Sequence, residues 1–216
     1  MRRNRATRVG RKGRAAVAAV TILAVWLSVG AAGAAPPIRI LGGFGATVYA
    51  AKPTVAFPAG GPWTIPANYA VSFSAQYLEL TGGLFAWGGV DRFWSGSGEQ
   101  FTNSALVVSG GLGWSIPVGY ARLELLGGLC RYDETFEIWT RGGGAAKVEL
   151  AATDVFAGVQ FVFLVTDGWR AAAGYRAILR DGRDLAGTLD SGLPFVLSTN
   201  SADVVLTFGF GYEFGR

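Results

Sequence analysis

The chain ends in Val204-Val205-Leu206-Thr207-Phe208-Gly209-Phe210-Gly211-Tyr212-Glu213-Phe214. Its even-numbered residues are all apolar and mostly large. Between them stand Val205, Thr207, Gly209, Gly211 and Glu213, mostly small or polar. A period of two is a β-strand with two unlike faces. The aromatic end lies almost at the C-terminus, where chains more often fray.

The same period recurs upstream. Glycine makes up 33 of the 216 residues, and no long heptad or 3.6-residue pattern is present. Eight strands are expected, at about 38–49, 67–80, 83–94, 101–116, 118–132, 147–165, 168–180 and 202–214. In the second, Tyr69, Val71, Phe73, Ala75 and Tyr77 oppose Ser72, Ser74 and Gln76. In the fifth, Leu123, Leu125 and Leu129 oppose Arg122 and Glu124. In the sixth, Val155, Val159, Phe161 and Phe163 oppose Asp154 and Gln160. In the seventh, Trp169, Tyr175 and Leu179 oppose Arg170, Arg176 and Arg180. The third is less regular: Phe85, Trp87 and Phe93 share parity with Asp91, and Gly88-Gly89 suggests a bulge. Tight turns are expected at Thr81-Gly82-Gly83, around Pro117 and at Thr166-Asp167-Gly168. Longer loops are expected at about 50–66, 95–100, 133–146 and 181–201.

Residues 1–34 read as an export signal. Arg2, Arg3, Arg5, Arg8, Arg11, Lys12 and Arg14 precede an apolar run from Ala15 to Val29, and Ala32-Gly33-Ala34 offers a cleavage site. The expected domain organisation is this signal followed by one barrel domain over 35–216. Seven of the 19 basic residues lie in the signal. That leaves 12 against 15 acidic residues, a net charge of −3, so the basic character of the whole chain gives no support for nucleic-acid binding. Cys130 is the only cysteine and cannot form an internal disulfide.

Alternation does not say which face points outward. A lipocalin-like soluble barrel would place the apolar face inside. After residue 34 only Lys52 and Lys147 are lysines, fewer than a water-facing strand surface normally carries. Aromatics also gather near the short-turn ends: Tyr77, Trp114, Phe163, Trp169, Tyr212 and Phe214. Both features favour an apolar exterior. A bilayer core contains no water to satisfy backbone groups, so strands that span it must close on themselves. The expected fold is an all-β, eight-stranded antiparallel up-and-down transmembrane β-barrel.

The aromatic closing strand, the export signal and the alternation of short turns with long loops together resemble small bacterial outer-membrane barrels of the OmpA transmembrane-domain, OmpX and OmpW type. The resemblance implies location in the outer membrane, outer-membrane lipid as surroundings, and a C-terminal strand read by the barrel-insertion machinery. It also implies that the short turns and both chain ends face the periplasm. No peptidoglycan-binding segment follows Phe214, so an anchoring role is not expected.

Eight strands leave an interior that side chains fill. A mainly polar lumen is expected, with Arg39, Arg122, Glu124, Asp154, Arg170, Arg176, Arg180 and Glu213 as its network. Glu213 should meet Arg39 and Arg170, and Asp154 should lie opposite Arg180, because an unpaired charge in a narrow lumen is costly. Cys130 should be a small buried filler.

The chain has no histidine. It therefore lacks the usual general base for a nucleophile and the commonest transition-metal ligand. Barrel acyltransferases, deacylases, phospholipases and omptin proteases depend on histidine, so the resemblance does not extend to their activities. Asp133-Glu134 with Glu137, and Asp181 with Asp184, lack an EF-hand pattern and read as solvated. No cofactor, metal or catalytic residue is expected. Function then falls to the long loops, where Phe57, Trp63, Trp139 and Phe195 are the binding candidates; the alternative for these residues is packing over the barrel mouth. A structural, adhesive or surface-binding role comes first. A small transport barrel for hydrophobic or small polar molecules is the alternative, and a secreted soluble ligand-binding barrel is a further one.

Overall fold

The structure is a computed structural model that describes residues 37–49, 53–58, 62–64, 68–95, 101–140 and 143–215. The export signal expected at 1–34 lies outside the described residues. Twelve strands are present among them: β1 (Ile38–Tyr49), β2 (Thr54–Ala56), β3 (Trp63–Thr64), β4 (Asn68–Thr81), β5 (Leu84–Ser95), β6 (Phe101–Val118), β7 (Ala121–Trp139), β8 (Ala145–Leu164), β9 (Trp169–Leu179), β10 (Asp184–Thr188), β11 (Pro194–Ser198) and β12 (Ala202–Phe214). Eight of them close into a barrel in the order β1-β12-β9-β8-β7-β6-β5-β4, with β4 paired back to β1. Every pairing is antiparallel, as the short connections between successive strands require.

The tight turns follow local chemistry. Gly82 and Gly83 both have positive φ, 54° and 89°, which a two-residue hairpin turn matched to strand twist demands. The β6–β7 turn falls at Gly119-Tyr120, not at Pro117. Pro117 is exposed and pairs with Arg122 at the last rungs of the ladder, a strand-end place where its missing N–H is tolerated.

Three expected loops are more ordered than their composition suggests. The stretch 133–146 is mostly strand: β7 runs to Trp139 and β8 begins at Ala145. The reason is continued alternation. Tyr132, Glu134, Phe136 and Ile138 are all buried on one face, while Asp133, Thr135, Glu137 and Trp139 take the other. The expected loops at 50–66 and 181–201 each contribute two short strands to a second sheet, ordered β10-β11-β2-β3. The pairing of Leu197 with Val55 joins the two segments.

The apolar faces of the barrel point outward. Phe44 (74%), Phe208 (68%) and Phe73 (61%) are among the most exposed side chains. A soluble barrel with an apolar lining would have the opposite polarity. The interior is nevertheless less polar than expected. Phe85, Trp87, Phe93, Val107, Leu126, Tyr132, Phe156 and Ile178 form an apolar cluster within it. They are inward-facing residues of β5 to β9, and their bulk fills space that charged groups could occupy only with partners.

Candidate functional site

Charged residues close the lumen at three levels. The lowest lies near the short-turn rim. Arg39 on β1 donates from Nη2 to Glu124 Oε1 on β7 at 2.7 Å. These strands stand four places apart in the eight-strand ring, so the bond crosses the whole lumen. Arg39 Nε is 3.7 Å from Glu213 Oε2, which also accepts from Arg170 Nε at 3.0 Å. Gln160 Nε2 donates to the second oxygen of Glu124 at 2.6 Å. Both Arg39 and Glu124 are fully buried.

The middle level is again diametric. Arg176 on β9 reaches Asp91 on β5, with Nη2 to Oδ1 at 2.6 Å, and its guanidinium lies 5.2 Å from the Trp87 ring centroid. At the upper level Arg180 collects three carboxylates. Its Nη2 donates to Glu134 at 2.6 Å, its Nη1 to Asp203 at 3.1 Å, and its Nε stands 3.9 Å from Asp154. The same guanidinium stacks 4.1 Å from the Tyr132 ring centroid. Asn103 Nδ2 braces the other oxygen of Glu134 at 2.6 Å, and Asn200 donates to Asp203.

Of the expected lumen residues, Arg39, Glu124, Asp154, Arg170, Arg176, Arg180 and Glu213 are thus brought into these levels. Arg39 pairs with Glu213 in register, and Val155 pairs with Leu179, which puts Asp154 beside Arg180. Arg122 is half-buried between Pro117 and Val162, with no ion pair among the described residues. Sequence reasoning missed Asp91, Glu134 and Asp203 as partners. Asp203 carried the right signal, the parity of Thr207 and Glu213, whereas Asp91 shares its parity with Phe85, Trp87 and Phe93, aromatics that alternation alone would place outside but that are buried. Glu134 was hidden by its assignment to a loop. Cys130 is buried, its Sγ 3.6 Å from the Asp154 carbonyl oxygen.

A dome covers the mouth. Val55, Leu189, Phe195 and Leu197 from the small sheet and its turn pack on Phe101, Phe136 and Ile138 at the top of β6 and β7. Phe101 and Phe136 stack at 5.7 Å. The Asp190 carboxylate accepts from Ala145 N at 2.7 Å, tying the β10–β11 turn to the β7–β8 tip. Two of the four loop candidates therefore turn inward: Phe195 is buried and Phe57 packs against it at 6.5 Å. Trp139 is half-buried, and Trp63 stays exposed. A strand register inside the loops, invisible in the run Leu193 to Leu197, decides which side faces the cluster. Val55→Ala should loosen the dome by about 2 kcal/mol without opening the barrel. Limited proteolysis of the folded protein should then cut the loop segments faster while the barrel core resists.

On the exterior, Trp114, Phe163, Trp169 and Phe214 are about half exposed near the short-turn rim, and Tyr212 packs between Trp169 at 5.4 Å and Phe214 at 4.7 Å. The side chain of Tyr77 lies outside the described residues. Among the described residues no group of three or more His, Cys, Asp or Glu side chains could hold a metal ion.

An eight-stranded antiparallel barrel that is apolar outside and charged inside has the architecture of small outer-membrane β-barrels. Solved structures of that class share it. The chain is similar to the outer membrane protein OprG from Pseudomonas aeruginosa at 11% identity and a TM-score of 0.63, over 85% of this chain and 98% of that one. It is similar to a major outer membrane protein from Thermus thermophilus at 12% identity and a TM-score of 0.52, over 82% and 99%. It is similar to Neisserial surface protein A at 14% identity and a TM-score of 0.51, over 85% and 100%. At such identities the likeness is one of fold. No family model matches the chain, and no curated protein matches it.

Proposed function

We propose that the protein is a non-catalytic integral barrel of the bacterial outer membrane, with a structural, adhesive or surface-binding role carried by the dome and the protruding β6–β8 wall. The observation behind this reading is the exterior. On β1, β9 and β12 the described outward side chains are all uncharged and mostly apolar, including Ile40, Phe44, Tyr175, Leu179, Leu206 and Phe210. Only lipid suits such a surface over a whole wall. Three charged levels fill the lumen, which leaves the loop rim as the working surface. There β8 continues from Ala145 to Asp154 beyond its pairing with β9, standing clear of the shorter strands. The aromatic C-terminal strand supports recognition by the barrel-insertion machinery, and the short-turn rim would face the periplasm.

The test is gel migration of the detergent-folded protein with and without boiling. A fast unboiled band that slows on boiling is the expected result. A protein that stays folded and soluble without detergent and shows no shift would overturn the membrane assignment.

A narrow transport path is the second reading. It is favoured by a cavity of about 40 Å³ in the lumen wall, lined by Ser72, Asp91, Gln160, Gly174 and Arg176 among others. Such a volume holds a few waters. Ion conductance in planar bilayers above that of protein-free membranes would support it, and none would leave the surface role alone.

A further inference from the structure

We propose that the outer wall of β5, β6 and β7 binds a phosphorylated lipid headgroup, with Arg92 and Arg131 as its two cationic arms; this rests on the membrane reading above. The argument begins with where charge first interrupts the apolar exterior. Val90 on β5, Val108 on β6 and Leu129 on β7 face outward along the band. The next outward residue on β5 is Arg92 and on β7 is Arg131. Both therefore stand at the upper edge of the apolar wall, where it gives way to the protruding extension.

Register places them together. Val90 pairs with Val108 and Val108 with Arg131, while Arg92 pairs with Leu106 and Leu106 with Asp133. The two arginines thus lie diagonally across β6 with Leu106 and Val108 between them. Two strand spacings separate their backbones laterally by about 10 Å, a gap that two arginine side chains can close around one anion.

Tyr69 and Trp94, paired with each other and 59% and 42% exposed, stand two rungs further along from Arg92, the next outward pair. Half-exposed aromatics of this kind settle at the headgroup level of a bilayer. With Asp133 3.3 Å from Arg131 Nε, the two arginines keep one net positive charge, and among the described residues no carboxylate pairs with Arg92. Lys147, the next outward cation along the wall, is already matched by Glu149 at 2.8 Å.

The apolar floor selects the ligand. An anion held by both arginines has Leu106, Val108 and Leu129 beside it. An amphiphile satisfies both parts, with its phosphate on the guanidinium groups and its acyl chains on the wall. Guanidinium favours phosphate through paired N–H donors.

The experiment uses the protein folded in an uncharged detergent, with retained lipid counted by native mass spectrometry. Phosphatidic acid should be retained about tenfold more tightly than phosphatidylcholine of the same chains. Arg92→Gln combined with Arg131→Gln should abolish that preference, whereas Arg183→Gln, in an exposed pair with Asp181, should leave it intact. Equal retention of the two lipids, or an unchanged preference in the double variant, overturns the proposal. So does full displacement of the lipid by equimolar inorganic phosphate, which would mark a site for free anions. Heat-modifiable migration is checked on every sample. Its presence without lipid preference sinks this inference alone, and its absence in the wild type sinks the membrane reading too.

Discussion

Replacing Arg39 with alanine will destabilise the folded barrel by about 3–5 kcal/mol, the usual cost of removing one member of a buried ion pair. The substitution strips Glu124 of its 2.7 Å partner and takes one of two cations from Glu213. Glu213 keeps Arg170, but among the described residues Glu124 is left with the Gln160 amide alone. An ionised carboxylate in that position is fully buried, so the loss of its charged partner is costly. The denaturant midpoint of the protein folded in vesicles should fall accordingly, and the fast unboiled band should be lost at a lower temperature. Arg39→Met combined with Glu124→Gln should recover much of the loss, because both members of the cross-lumen pair are then neutral. A double variant as unstable as Arg39→Ala would show that the cost lies in lost packing around Arg39 and not in an uncompensated charge.

The second large effect concerns two adjacent glycines. Gly128 on β7 pairs with Gly111 on β6, and both face the lumen. A Cβ at Gly128 would fall on the Gly110 carbonyl oxygen and within 2.7 Å of Gly111 Cα. Those obstacles are backbone, so no rotamer change relieves them. Gly128→Val should therefore cost about 3 kcal/mol or more and reduce the yield of heat-modifiable protein. Gly127, one residue earlier, faces outward, and a Cβ there would meet nothing nearer than the Phe156 carbonyl oxygen at 3.9 Å. Gly127→Val should fold with a change below about 1 kcal/mol, the scale of ordinary surface substitutions. Equal behaviour of the two variants would mean that the strands can spread at this rung, and the close approach would then not be a constraint on the fold.

Much of the barrel was legible because each strand carries its own alternation. The register of β8 on β9 follows from the turn at Asp167, and that of β1 on β12 from closure of the ring, so Asp154 beside Arg180 and Arg39 beside Glu213 could be deduced. Contacts across the lumen could not. Arg39 to Glu124 and Arg176 to Asp91 join strands four places apart in the ring, and no local pattern encodes which side chains meet in the middle of a tube. The dome was opaque for a different reason. Val55 and Leu197 pair across 142 positions, through strands of three and five residues whose composition, rich in proline and glycine nearby, reads as loop. Glu134 illustrates a third case. It sits among Asp133 and Glu137 in a stretch that looks solvated, yet Asn103 and Arg180 give it two buried partners. Composition weighs each residue alone, whereas burial of a charge depends on what the neighbouring strands bring to it.

One of the two segments that form the dome leaves the barrel from β1 and the other returns to it at β12, the first and last strands of the chain. Those strands meet along the one junction in the cylinder that no connecting segment holds. Pairing of β2 with β11 laces the same junction a second time, above the first row of rungs. A sideways split of the cylinder at this junction would have to undo both sets at once. The small sheet therefore acts as a clasp over the seam between the barrel's first and last strands, built wholly from segments that precede the last strand in the chain.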